Sequence, residues 1–163
     1  MNQRTTKRHD RLIEEGVHDT YKLKGKLPDP ARCPQCDAVY RKGRWRWEAE
    51  IPEGAEARLC SACHRINDNY PAGEVALSGT FVTRHKDEIL QLARNLEEVE
   101  RREHALNRII AIRELPDEIL ITTTDVHLPR RIGKAIEQAW EGNLDIHFDK
   151  QGYFTSINWH RDE

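Results

Sequence analysis

No stretch of the 163-residue chain approaches the roughly 18 consecutive apolar residues of a membrane span. The opening run MNQRTTKRHDRLIEEG lacks the apolar segment of a secretory signal, so the expected compartment is the cytoplasm. Apolar residues are scarce at 37%, against 33% charged. That balance excludes a large core and predicts long solvated helix faces. Neither a glycine-rich phosphate loop nor a nucleophile motif accompanies the acid–base pairs Asp125–His127 and His147–Asp149. Those pairs read as cap and surface residues, and neither an enzyme nor a small-molecule substrate is expected.

Cysteine is also sparse, and the four present all fall within residues 31–72. The spacing is Cys33-x2-Cys36, then 23 residues, then Cys60-x2-Cys63. A two-residue spacer lets both thiolates of a knuckle face one ion, and two knuckles complete the tetrahedron that zinc prefers. Disulfides are rare in the cytosol, and no βαβ context surrounds either pair to suggest a redox CxxC. An iron–sulfur cluster is the competing metal group. The expectation is one Zn2+ per chain, structural because four thiolates leave no position for a catalytic water. His64 is either a spare ligand or a solvated neighbour.

Charge is divided unevenly. Residues 1–48 carry 12 basic and 7 acidic side chains, a balance of +5, while the remainder carries 14 and 21, a balance of −7. Residues 1–30 read as a basic arm led by Arg4, Lys7 and Arg8, with a short helix possible over Asp10–Glu15 and too few apolar residues for a core. Residues 31–72 read as a four-cysteine zinc ribbon, two knuckles joined by short β-structure. Within it Arg41, Lys42, Arg44, Trp45, Arg46 and Trp47 surround a turn at 41–43. Period two puts Lys42, Arg44 and Arg46 on one face and Trp45 and Trp47 on the other. Cations on a β-surface suit phosphates, and indoles either stack on unpaired bases or pack the ribbon against its neighbour. With no recognition helix evident here, RNA is favoured over duplex DNA.

Residues 73–163 read as an α+β domain. A strand is expected over 74–82 with a bend at Gly79. A helix capped by Thr83 follows, with Ile89, Leu92, Ala93, Leu96, Val99 and Leu106 on its apolar side. Strands at 108–114 and 118–124, a helix from Pro129 to Glu141 stopped by Gly142, and a hairpin of 144–148 with 153–159 complete the chain. The order β-α-β-β-α-β-β predicts a two-layer α/β sandwich, ferredoxin-like, with an extra edge strand. His127, Arg130 and Arg131 gather at a helix start where an anion is favoured, although Asp125 can supply that charge as a cap.

The segment ITTTDVHLPRRIGKAIEQA at 121–139 resembles the archaeal and eukaryotic adaptor family that binds the large ribosomal subunit and, in eukaryotes, accompanies its export. Cysteine knuckles come first in both, followed by a threonine-rich strand (Thr122–Thr124), His127–Leu128 and Arg131–Ile132–Gly133. The resemblance covers about Cys33 to Trp159, in order of features more than identity. This chain has fewer cysteine motifs than the family, Pro129 where alanine usually follows His-Leu, and no room for the family's further domains. What the resemblance implies is binding to the ribosome, to ribosomal RNA or to ribosomal proteins, with a role in biogenesis or in hibernation of idle ribosomes. The alternative is a zinc-dependent protein–protein adaptor without RNA contact.

Overall fold

The computed structural model describes residues 26–163. The arm residues Arg4, Lys7 and Arg8, and the helix expected at 10–15, lie outside the described residues. What is described is mixed α+β, with two sheets and four helices.

The smaller sheet is built from four very short strands: β1 (Ala31–Arg32), β2 (Val39–Arg41), β3 (Arg44–Arg46) and β4 (Glu56–Ala57), in the order β3-β2-β1-β4. Strands β2 and β3 form a hairpin closed by Lys42 and Gly43, both at positive φ (50° and 79°). That turn matches the right-handed twist of its strands. Helix α1 (Ser61–Asp68) follows β4 and ends where Asn69 turns left-handed and its amide N–H bonds Ile66 O. Strands β2, β3 and β4 do lie between the two knuckles, whereas this helix carries the second knuckle and is not among the elements expected in residues 31–72. Its only buried apolar residues are Ala62 and Cys63, too weak a stripe to announce a helix.

The larger sheet contains β5 (Gly73–Ser78), β6 (Ile109–Leu115), β7 (Glu118–Thr123), β8 (Asn143–Phe148) and β9 (Thr155–His160), in the order β6-β7-β5-β9-β8. Helices α2 (Thr80–Arg84), α3 (Lys86–Glu103) and α4 (Leu128–Trp140) supply the second layer. Strand alternation turns Val75, Leu77, Ile119, Ile121, Ile157 and Trp159 inward. Four-residue spacing sets Ile89 and Ala93 of α3, and Leu128, Ile132 and Ile136 of α4, against them. Each large side chain buried here stabilises by roughly 1.5–3 kcal/mol before conformational entropy is set against it. Helix α4 lies so close to β9 that a Cβ on Gly133 would stand 2.7 Å from Ile157 Cγ2.

Two expectations for the start of this segment are corrected. The first strand ends at Ser78, not at 82, because Gly79 adopts φ 104° and starts α2. Phe81 and Val82 are then buried from a helix, with the Phe81 ring 6.0 Å from that of Trp159. Thr83 caps nothing. It sits inside α2, and the long helix begins only after His85, with Asp87 and Glu88 in its first turn complementing the helix dipole.

The stripe of α3 holds at Ile89, Leu92, Ala93 and Leu96 and departs only at its end, with Leu106 lying beyond the helix. Val99 is 51% exposed, whereas Glu100 is 5% exposed and paired with Arg131.

The strand order departs from the ferredoxin-like arrangement, which would put the fourth strand of this domain beside its first. Here β9 takes that place, parallel to β5, and β8 is pushed to the edge. The composition of the hairpin accounts for the choice. Thr155, Ile157 and Trp159 of β9 are fully buried, while β8 offers only half-buried Leu144 and Ile146 between exposed Asn143, Asp145 and His147.

Candidate metal centre

The first cysteine pair is held by a tight loop. Cys33 N–H donates to Ala38 O at 2.9 Å, Asp37 N–H donates to Cys33 O at 2.9 Å, and Asp37 takes φ 66° to turn the chain back. The second pair uses a helix start. Cys60 is the N-cap of α1, its sulfur accepting the amide N–H of Cys63 at 3.4 Å, and Cys60 N–H in turn donates to Cys33 Sγ at 3.4 Å. A cap of this kind turns the sulfurs of Cys60 and Cys63 to the same side of the first turn.

All four thiols are free, and their sulfurs lie within 4.8 Å of one another. Cys36 Sγ and Cys60 Sγ are 3.9 Å apart. A tetrahedral thiolate site with metal–sulfur bonds of about 2.3 Å has edges of about 3.8 Å, so the cage fits one such ion. Cys33, Cys60 and Cys63 are buried and Cys36 is half-buried. Among the described residues the group contains these four cysteines and does not include His64.

A fifth residue reaches the cage from the segment that leads into the larger sheet. Arg108 precedes β6 and is 3% exposed. Its Nη1 donates to Cys63 Sγ at 3.3 Å, and its Nη2 to Cys36 Sγ at 3.1 Å, with Cys60 Sγ at 3.9 Å. The side chain is held from behind by Nε–H to Ala105 O at 2.8 Å, and the Arg108 amide donates to Thr124 Oγ1 at 2.9 Å. No signal in the sequence separates Arg108 from the other 25 basic residues, because its role exists only once two distant segments meet.

The electrostatics follow from these contacts. Cys36 is held down to about 4 by the hydrogen bond from Cys60 and, against the opposing effect of burial, by Ala38 and Arg108. The same bond, with burial, pushes Cys60 up. Burial raises Cys63 despite the guanidinium beside it. For Arg108, burial works against the charge, yet its contacts with Cys36 and the other sulfurs hold it above the ordinary arginine value.

The basic strand lies next to this cage. Arg41, Lys42, Arg44 and Arg46 are exposed, and Trp45 and Trp47 are half-buried against the cysteine cluster. Lys42 occupies the hairpin turn, with its amide donating to Asp29 Oδ2 at 2.9 Å, and does not share a strand face with Arg44 and Arg46. Tyr40 and Trp45 stand at 5.5 Å between ring centres. Trp47 turns toward α3, and Arg101 and Arg108 lie 5.2 and 5.5 Å from its ring.

The second expected cluster is built differently. His127 and Arg130 are exposed, and Arg131 pairs with Glu100. The helix-start amides of His127 and Leu128 already donate to Asp125 Oδ2, at 2.8 and 3.0 Å. Asp125 therefore supplies the negative charge that a phosphate would have brought. Burial raises its pKa, and its Oδ1 is buried with no hydrogen-bond partner. Asp149 Oδ1 accepts from Tyr153 N–H at 2.7 Å and shapes the β8–β9 turn. No helix among the described residues is long and apolar enough to cross a membrane. Comparison with protein families, curated proteins and solved structures found no match to this chain.

Proposed function

We propose that this chain binds RNA through a module organised by one zinc ion, and that it acts on the ribosome. The observation that carries the reading is the hairpin of β2 and β3. Four cations, Arg41, Lys42, Arg44 and Arg46, are exposed there around a tight turn, while both tryptophans pack against the cysteine cluster. Exposed cations gathered on one hairpin can meet several phosphates together, and each contact releases condensed counterions. Zinc is the ion proposed because a closed tetrahedral set of four thiolates suits it, and because strands of two and three residues need a cross-link to hold together. The ribosome is proposed as target from the resemblance carried by residues 121–139 and the knuckles. The contribution is one of binding, without a catalytic step.

The half-buried setting of Trp45 and Trp47 removes most of the surface for stacking on bases, so contact is assigned to phosphates rather than to base edges. The test is co-sedimentation with ribosomal particles across a salt series. Wild-type protein should pellet with particles at low salt and leave them at high salt. Replacing Lys42, Arg44 and Arg46 together with alanine should weaken binding and flatten the log–log salt slope by about two, at about 0.7 per phosphate contact. An unchanged affinity and slope would remove the RNA reading and favour the protein adaptor.

A further inference from the structure

We infer that the metal centre is a clasp between two domains, in which Arg108 positions and neutralises the tetrathiolate so that loading the ion and docking the module strengthen each other. The inference rests on the metal reading above. A divalent ion with four thiolates carries a net charge of −2, and three of its four sulfurs are buried. Such a charge is costly to enclose without a counter-charge or donors. Two amide donors, those of Cys60 and Cys63, come from the module itself. The only guanidinium bonded to the cage among the described residues comes from the other domain, where its planar fork spans Cys36 and Cys63.

The surroundings of Arg108 make it a fixed part of the cage. Ala105, Leu106 and Trp47 pack into the same cluster as the cysteines, so the segment that carries Arg108 also supplies part of the module's apolar floor. Thr124 receives the Arg108 amide and donates its hydroxyl to Leu106 O at 2.6 Å, tying that segment to the end of β7. A guanidinium held this rigidly is attracted more strongly to a dianionic cage than to a set of neutral thiols. By linkage, whatever factor docking adds to metal affinity, metal adds to docking.

The experiment uses the full chain, with Co2+ as a spectroscopic substitute for zinc, and compares wild type with Arg108→Leu and Arg108→Lys. Wild type should take one Co2+ with tetrahedral thiolate bands. Arg108→Leu should lower metal affinity by about 10- to 100-fold, the usual cost of losing a partner of a metal ligand. Its sulfur-to-cobalt charge-transfer band should move to lower energy, because thiolates relieved of N–H donors are easier to oxidise. Arg108→Lys, which keeps the charge but not the fork, should fall between the two. The Trp47 indole proton should exchange slowly in metal-loaded wild type. It should exchange faster after chelation, and faster in Arg108→Leu even when metal-saturated.

If wild type takes up no ion, the metal reading fails and the clasp with it. If wild type binds normally and Arg108→Leu shows the same affinity and band energy, the metal reading stands and the clasp is overturned. If Arg108→Leu does not fold, Arg108→Lys decides alone: values identical to wild type overturn the role of the fork.

Discussion

Trp47 donates its indole N–H to the main-chain oxygen of Arg101 at 2.7 Å, joining the hairpin of the cysteine module to the last turn of α3. A helix end leaves its final carbonyls without intrahelical partners, and here an aromatic side chain from a segment distant in sequence satisfies one of them. The bond removes Trp47 from the set of side chains free to stack on bases. Trp47→Phe keeps most of the packing and loses the donor, so it should destabilise the protein by about 1–2 kcal/mol. Urea unfolding of the two proteins side by side measures this, and equal midpoints would show that the bond contributes nothing net.

Cys60→Ser separates the two jobs of Cys60. A serine hydroxyl caps a helix as well as the thiol does, so α1 keeps its start. What is lost is one of four ligands. Elemental analysis should fall from one zinc per chain toward none. Amide resonances from 31–69 should collapse while those of β5 to β9 persist, because the larger sheet has its own core. A simultaneous collapse of both sets would show that the larger domain cannot stand without the cage.

Gly79 is held at φ 104°, and a Cβ there would lie 2.0 Å from Arg161 O. Both the left-handed backbone and the contact oppose any side chain. Gly79→Ala should cost about 2–3 kcal/mol and lower the thermal midpoint. Gly43→Ala has the strained φ of 79° but meets no atom within 4 Å, so it should cost less. Equal losses at the two positions would show that backbone strain alone, and not the approach of Arg161, governs Gly79.

Asp125 gives a pH test whose sign is fixed by its environment. Burial raises its folded-state pKa above the ordinary value of 3.8. The folded protein therefore binds this proton more tightly than the unfolded chain, and the carboxyl disfavours folding increasingly as pH rises through that window. Asp125→Asn retains an oxygen to cap His127 and Leu128 and carries no charge. Its stability relative to wild type should be greatest near neutral pH and shrink as pH is lowered toward about 4. Urea midpoints at two pH values test it, and a gap that widens on acidification would refute the assignment.

Local pattern in the sequence reached a good part of this structure. Alternation in residues 73–78, four-residue spacing at Ile132 and Ile136, and the Lys42–Gly43 turn each depend on neighbours in the chain, so they can be read from it. The four cysteines were legible for the same reason, as paired spacings. Helix α1 was hidden because two of its few buried residues, Ala62 and Cys63, are a small residue and a ligand. Gly79 suggested a bend but not the change from strand to helix, which depends on Arg161, distant in sequence, arriving beside it at the end of β9. The central place of β9 and the grip of Arg108 on three sulfurs are properties of long-range assembly, to which local periodicity is blind.

The parallel pairing of β5 with β9 joins Gly73 to Thr155 and Ser78 to His160. A late segment thus serves as the keystone of the larger sheet. Trimming the chain before Thr155 would not shave off a peripheral strand. It would bare one whole edge of β5 and deprive β8 of its antiparallel neighbour. It would also strip Ile157 and Trp159 from the middle of the core. The bared edge would be a row of unpaired amides beside Val75 and Leu77, the kind of surface that recruits strands from other molecules. Shortened versions of this protein should therefore keep β9 whole, and at the other end keep Asp29 and Pro30, whose oxygens accept the amide N–H groups of Lys42 and Glu56.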